Sequence, residues 1–318
     1  MLLRPHITGA LIAIALIITG CTAKEEITVS PADLASPLMG TDSEYLLSHG
    51  NTYPAVALPW GMNFWTPQTR RNGDGWGYTY DDHKITGIKQ THQPSPWIND
   101  YAAFSLMPVT GGRLITEEQR ASWFSHKAEV SRPYYYSVYL ADHDVTAEVT
   151  PTERASVFRF TFSSNDSSSV VIDAFRGGSM VEIIPSERKV IGYCRNNHGG
   201  VPENFHNYFV IIFDRDFDYY SSWIENRISE GSLRQEGDHA GAVIGFRTKR
   251  GGVVTARIAS SFISPEQAQL NLDAEIGDRS FDEVKDAARE RWNAELGRIK
   301  VEGGTDDQVR TFYSTLYR

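Results

Sequence analysis

Between residues 40 and 101, Asp74, Asp81, Asp82, His83, His92 and Asp100 are interspersed with Trp60, Trp65, Trp76 and Trp97 and with many Gly, Pro and Tyr. Flat aromatic faces stack on the C–H face of a pyranose, while carboxylates and imidazoles exchange hydrogen bonds with its hydroxyls. The mixture therefore suits a sugar subsite. Its densest piece is residues 91–101, THQPSPWINDY, where Trp97 stands between Pro96 and Ile98. The two prolines and Asn99 mark an irregular loop rather than a strand, and a large apolar ring in such a loop points at something. Trp76, inside Gly75-Trp76-Gly77, has similarly permissive flanks. Trp76 and Trp97 are the candidate walls of the subsite, with His92 and Asp100 hydrogen-bonding the sugar hydroxyls or positioning the loop. The plainer alternative is that the four tryptophans pack a loop-rich layer, since large aromatics dominate cores.

Other chemistries find little support. No Gly-x-Ser-x-Gly elbow, His-Glu-x-x-His, Walker loop or Cys-x-x-Cys occurs, and Gly73-Asp74-Gly75-Trp76-Gly77 lacks the spacing of a dinucleotide fingerprint. Asp214, Asp216, Asp218 and Glu225 fall at positions 1, 3, 5 and 12 of a calcium loop, but Tyr219 stands where that loop turns on Gly. A solvent-facing strand end, with Arg215, Phe217 and Tyr219 on the other face, explains the same alternation.

The N-terminus carries Arg4 before an apolar run from Ile7 to Ile18, then Ile18-Thr19-Gly20-Cys21. The run is too short for a permanent membrane span, and small residues before a cysteine suit lipoprotein cleavage, which makes Cys21 the lipidated N-terminus. An ordinary signal peptide with an incidental cysteine is the alternative. Without residues 1–20 the chain keeps 30 basic and 40 acidic side chains, a formal charge of −10. An acidic exported protein without a basic run is a poor partner for nucleic acid. With Cys21 acylated, Cys194 has no intrachain disulfide partner and reads as a small buried apolar residue, so stability must come from a core.

The elements that position these residues are mostly strands. Phe158, Phe160 and Phe162 alternate with polar neighbours, as do Val145, Ala147 and Val149. Similar runs occupy 104–109, 134–140, 169–174, 208–213, 242–247 and 253–259. A period of two with Gly, Pro, Asn and Asp between the runs predicts an antiparallel β-sandwich. The period changes at Ser280-Phe281-Asp282-Glu283, a capping box followed by Val284, Ala288, Trp292, Leu296 and Ile299 at helical spacing. Thr305 caps a second helix with an apolar stripe of Val309, Phe312, Tyr313 and Leu316. That stripe is read as having no partner within the chain, as though the polypeptide continued. Folding back onto the sandwich is the alternative.

Several stretches resemble glycoside hydrolase family 92, the exo-acting α-mannosidases. They are Pro37-Leu38-Met39-Gly40-Thr41-Asp42, His49-Gly50-Asn51-Thr52-Tyr53-Pro54, Ala57-Leu58-Pro59-Trp60-Gly61-Met62, Thr91-His92, Asp100-Tyr101, Phe124-Ser125-His126 and Thr152-Glu153-Arg154. The resemblance implies an all-β supersandwich at 36–275 after a signal peptide (1–20) and a tether (21–35). A helical linker and the first helix of an absent (α/α)6 barrel then occupy 276–318. It also implies calcium-dependent, inverting hydrolysis of terminal α-mannose from a mannose-containing glycan, with the catalytic carboxylates and calcium ligands in the protein's own C-terminal catalytic domain, beyond Arg318. This chain then supplies one wall of the pocket, anchored by lipid to the bacterial cell envelope, in the periplasm or at the cell surface. A non-catalytic glycan-binding lipoprotein is the alternative. The chain departs from the family in Gln93-Pro94-Ser95-Pro96-Trp97, where many members are Ser-Gly-rich, and in Trp60 for a more common Phe.

Overall fold

Each alternating segment becomes a strand because it sets one face on a shared interior. The computed structural model describes residues 29–71, 77–92 and 101–318. Its strands are β1 (Phe64–Gln68), β2 (Lys84–Ile85), β3 (Gly87–Thr91), β4 (Ser105–Val109), β5 (Ser122–Trp123), β6 (Glu129–Arg132), β7 (Tyr135–Leu140), β8 (Val145–Pro151), β9 (Ala155–Phe162), β10 (Asn165–Ile184), β11 (Lys189–Cys194), β12 (Asn207–Phe213), β13 (Tyr219–Ile224), β14 (Arg227–Glu230), β15 (Arg234–Thr248) and β16 (Gly252–Ser261). Its helices are α1 (Pro31–Leu34), α2 (Glu117–Arg120), α3 (Pro265–Glu275), α4 (Phe281–Leu296) and α5 (Asp306–Tyr317). All the named strand pairs are antiparallel.

The long strand β10 organises the sheet. Its first half pairs with β4 and its second half with β11, while β15 runs along its other edge throughout. The β10–β15 register slips twice between Asp173 and Ser179. There Phe175, Gly177 and Gly178 adopt φ of 58°, 106° and 98°. Bulges of this kind bend a strand, so the ribbon passes from one layer, ending β4-β3-β1, into another, running β11-β12-β16-β9-β8-β7-β6. The layers meet through rings. Trp65 of β1 packs edge-on against Phe158 of β9 at 5.0 Å, and Phe104 stacks on Phe209 of β12 at 4.5 Å.

A buried ion pair fastens the bend. Arg120, with no exposed side-chain surface, places Nη2 2.8 Å from Asp173 Oδ2 and spends Nε and Nη1 on the carbonyls of Thr86 and Ile115. Asp173 Oδ1 accepts from Phe175 N at 2.9 Å and lies 2.7 Å from His239 Nε2. Burial alone would raise the Asp173 pKa, but the Arg120 charge and the His239 bond outweigh it and hold it at about 2.

The helices follow their sequence signals. α4 starts at a Ser280–Glu283 capping box, and Phe281, Val284, Ala288, Trp292 and Leu296 are all buried. Arg159 lies 4.1 Å from the Phe281 ring centre and grips Glu148 with two bonds of 2.7 and 2.8 Å. α5 starts at a Thr305–Gln308 capping box. Most of its stripe has a partner in the chain, which corrects the reading from periodicity for Val309, Phe312 and Tyr313, while Leu316 stays exposed. Tyr313 is buried, and Val309, Phe312 and Tyr317 are partly buried, against Ala32, Ala35, Ala288, Trp292 and Leu296. Ser314 Oγ accepts from Ser36 N at 2.9 Å, and Tyr317 donates to Ala55 O at 3.0 Å. Helical spacing shows that a face is apolar but not what covers it, and much of the cover is α1, far away in sequence.

Candidate functional site

Where β1 begins and β3 ends, Phe64 pairs with Thr91. Just before β1 the chain turns, with Gly61 N donating to Leu58 O at 3.0 Å and Met62 N to Glu153 O at 2.8 Å. That turn puts Trp60 in the left-handed region at φ 59° with 77% of its surface exposed. A bulky residue there is strained, and the indole gains little burial in return. α4 and α5 face it, and together they enclose a cleft of about 530 Å³ whose aromatic lining is Tyr53, Trp60, Phe64, Trp292 and Tyr317.

The cleft's rings are held by backbone bonds. Trp292 Nε1 donates to Ala57 O at 2.7 Å and its ring lies 5.1 Å from that of Tyr317. Burial pushes the Tyr317 phenol up to about 12, so it remains a neutral donor. Arg318 bonds the carbonyls of Pro37 and Met39, each at 2.7 Å, and also Thr52 Oγ1. Burial lowers its pKa. Among the described lining residues the one carboxylate is Glu295, 2.9 Å from Arg298. Five rings and a few polar groups can bind a flat-faced polar ligand, whereas the paired carboxylates that general acid–base hydrolysis needs are not assembled among these residues.

His92 lies on the other side of the 60–62 turn. Its Nδ1 is 3.1 Å from Met62 O and its Nε2 3.4 Å from Asn207 Nδ2. Both ring nitrogens thus face protein groups. Its ring meets Phe262 at 5.0 Å, and Phe262 stacks on Phe205, beside Tyr101. Trp76, Trp97, Asp100 and Cys21 lie outside the described residues. Of the other singled-out groups, Asp82 ties Arg70 and Thr69 at 2.9 Å, and His83 stacks near Trp123. Trp65 is core, whereas its near neighbour Trp60 is the displayed ring. The signal for Trp60 is in the sequence, since Pro59-Trp60-Gly61 carries the same kind of Pro and Gly flanks as Trp97 and Trp76.

The calcium-loop series is dispersed. Asp218 Oδ2 accepts from Arg247 N at 2.8 Å, and Glu225, at the far end of β13, accepts from Arg176 at 2.9 Å. Among the described residues no three of His, Cys, Asp or Glu converge as a metal cage. Cys194 is buried, with Sγ 3.0 Å from Ala102 O.

With this geometry in view, comparison with known proteins is specific. Residues 34–261 match the family model for the glycosyl hydrolase family 92 N-terminal domain, and residues 267–318 match that for the family's catalytic domain. An inverting mannosidase of family GH92 from Bacteroides thetaiotaomicron is 46% identical, with a TM-score of 0.88 over 91% of this chain and 39% of its own. A GH92 α-mannosidase from the same organism, solved with mannoimidazole, is 28% identical with a TM-score of 0.80 over 91% of this chain and 40% of its own. A protein of Arthroderma benhamiae described as an uncharacterized secreted glycosidase is 24% identical over 85% of this chain and 39% of its own. The chain thus spans about two fifths of the length of these relatives.

Proposed function

The chain belongs to glycosyl hydrolase family 92, and from that membership we propose that it is the N-terminal part of an exported, calcium-dependent, inverting exo-α-mannosidase acting on terminal α-mannose of glycans. The observation that carries its share of the work is the five-ringed cleft beside the 60–62 turn, with Trp60 displayed at its rim. Such a wall grips the saccharide from which mannose is cleaved. The mannosidase and mannoimidazole descriptions of the structural neighbours support mannose as the sugar.

Inversion needs one carboxylic acid to protonate the leaving oxygen and one carboxylate to activate water, about 6.5 to 9.5 Å apart. In this reading both belong to a C-terminal (α/α)6 barrel outside these 318 residues, as do the calcium ligands; among the described residues no three of His, Cys, Asp or Glu converge as a metal cage, and the described cleft lining holds one carboxylate, Glu295. His92 orients the pocket edge, and Trp76, Trp97 and Asp100 complete the leaving-group side. Domain limits of 36–275 for the sandwich and 276–318 for the linker and barrel entry complete the reading, with export through residues 1–20 and a lipid on Cys21. Export also fits the relative from Arthroderma benhamiae that is described as secreted.

Proton NMR of an α-mannoside digest by the full-length protein tests the reaction. β-Mannose should appear first and then mutarotate. First appearance of the α-anomer, or turnover that requires phosphate, sinks it. Residues 29–318 alone should release no mannose, and release would contradict the assignment of acid and base elsewhere.

A further inference from the structure

A chain of buried polar side chains runs through the sandwich interior to this site. Asn63, Gln90, Asn207 and Ser260 have no exposed surface. Asn63 Nδ2 donates to Arg154 O at 2.8 Å and to Ser260 Oγ at 2.9 Å, and Gln90 Nε2 donates to Ser260 Oγ at 3.1 Å. Asn207 Nδ2 then faces Gln90 Oε1 at 2.8 Å, Ala102 O at 2.9 Å and His92 Nε2 at 3.4 Å. The two nearer acceptors, Gln90 Oε1 and Ala102 O, fix which way the amide points, and His92 Nε2 shares the same nitrogen at the longer distance, while Asn207 Oδ1 is buried without a hydrogen-bond partner among the described residues. Turned over, its oxygen would face the carbonyl oxygens of Gln90 and Ala102.

Stability alone does not require such a chain, since well-packed apolar side chains fill an interior without desolvating amides. Position is what it supplies. His92 and Ala102 flank residues 93–100, and one amide holds both. Ala102 and Ala103 are fixed further by Asn196, through Ala102 N to its carbonyl at 2.6 Å and Ala103 N to Oδ1 at 2.9 Å. From His92 the restraint continues through Nδ1 to Met62 O, two residues from Trp60.

We propose that Asn207 is the positioning residue of the saccharide site: its amide, acting with the Met62 carbonyl, favours the His92 tautomer protonated on Nδ1, ties the His92 ring to the Ala102 backbone, and so holds the turn that displays Trp60. The consequence for catalysis rests on the mannosidase reading. The consequences for tautomer and backbone do not.

Three measurements on the full-length protein test this. In the wild type, long-range ¹H–¹⁵N NMR should find His92 Nε2 bare and Nδ1 protonated at neutral pH. A proton on Nε2 overturns the proposal whether or not any variant folds. In Asn207→Leu, amide hydrogen exchange at Ala102 and Ala103 should quicken at least tenfold. Thr150→Val, which removes a buried bond to Tyr134 O remote from these groups, should leave that exchange unchanged. Equal rates in Asn207→Leu and wild type, or equal acceleration in both variants, overturn it. With an oligomannoside, Asn207→Leu should raise KM at least threefold with kcat within twofold, and the converse split refutes a positioning role. Should the protein prove not to be a mannosidase, exchange and NMR still decide on Asn207.

Discussion

Trp60 offers a sharp test because its two roles predict opposite effects. With 77% of its surface in water, roughly 50 Å² of an indole is buried, worth about 1.3 kcal/mol at ~25 cal/mol per Å². Its left-handed backbone, φ 59°, costs about 1–2 kcal/mol for any residue with a Cβ and little for Gly. Trp60→Ala loses the burial and keeps the strain, whereas Trp60→Gly loses the burial and relieves it. After about 0.5–1 kcal/mol for the freer unfolded glycine chain, Gly should equal or exceed Ala by up to about 1.5 kcal/mol, or roughly 3–6 °C in Tm. Both variants lose a stacking surface worth about 0.5–1.5 kcal/mol, which raises KM for an oligomannoside roughly 2- to 12-fold. Differential scanning calorimetry gives the first quantity and initial-rate kinetics the second. Alanine more stable than glycine would refute the strain argument, and an unchanged KM in both variants would refute the platform.

Four other outcomes are expected. Arg120→Met takes the guanidinium from the buried Asp173 carboxylate and leaves it only His239 and the Phe175 amide, costing about 3–5 kcal/mol in urea unfolding; a loss under ~1 kcal/mol would show that the pair matters little. Because folding depresses the Asp173 pKa to about 2, its contribution, about 2 kcal/mol, is whole above the unfolded value near 4 and fades as pH falls toward 2. Asp173→Asn should flatten that part of an acid-unfolding profile, and an unaltered profile would count against the assignment. Trp97→Ala in the full-length enzyme should slow mannosides with bulky leaving groups selectively, and unchanged kinetics would remove it from the site. Labelling with a fatty-acid analogue should vanish in Cys21→Ser, and persistent label would place the lipid elsewhere.

Sequence legibility followed the range of the interactions. The alternation in β8 and β9 and the capping boxes of α4 and α5 are local, and all are present. The single strand from Asn165 to Ile184 was not legible. Gly177 and Gly178 look like a turn after residue 174, whereas their positive φ lets the strand bend and continue. The burial of α5 depends on α1, more than two hundred residues away. Trp60 and Trp65 have the same composition signal and opposite fates, because only Trp65 falls in register within β1, where alternation aims it at Phe158. His92 was legible as a polar group near a loop. Its partners Met62 and Asn207 come from separate segments and could not be read from spacing.

The shared ribbon also bears on how the nascent polypeptide is made. β10 emerges from the ribosome well before β15, which borders it for nearly its whole length. At about 5–20 residues per second, the roughly 50 residues between them take several seconds. Over that interval β10, rich in Val and Ile, shows an open edge to any neighbouring chain. Slowing translation across residues 185–248 would lengthen that exposure, so synonymous codon choice there should govern the soluble yield more strongly than in any later segment.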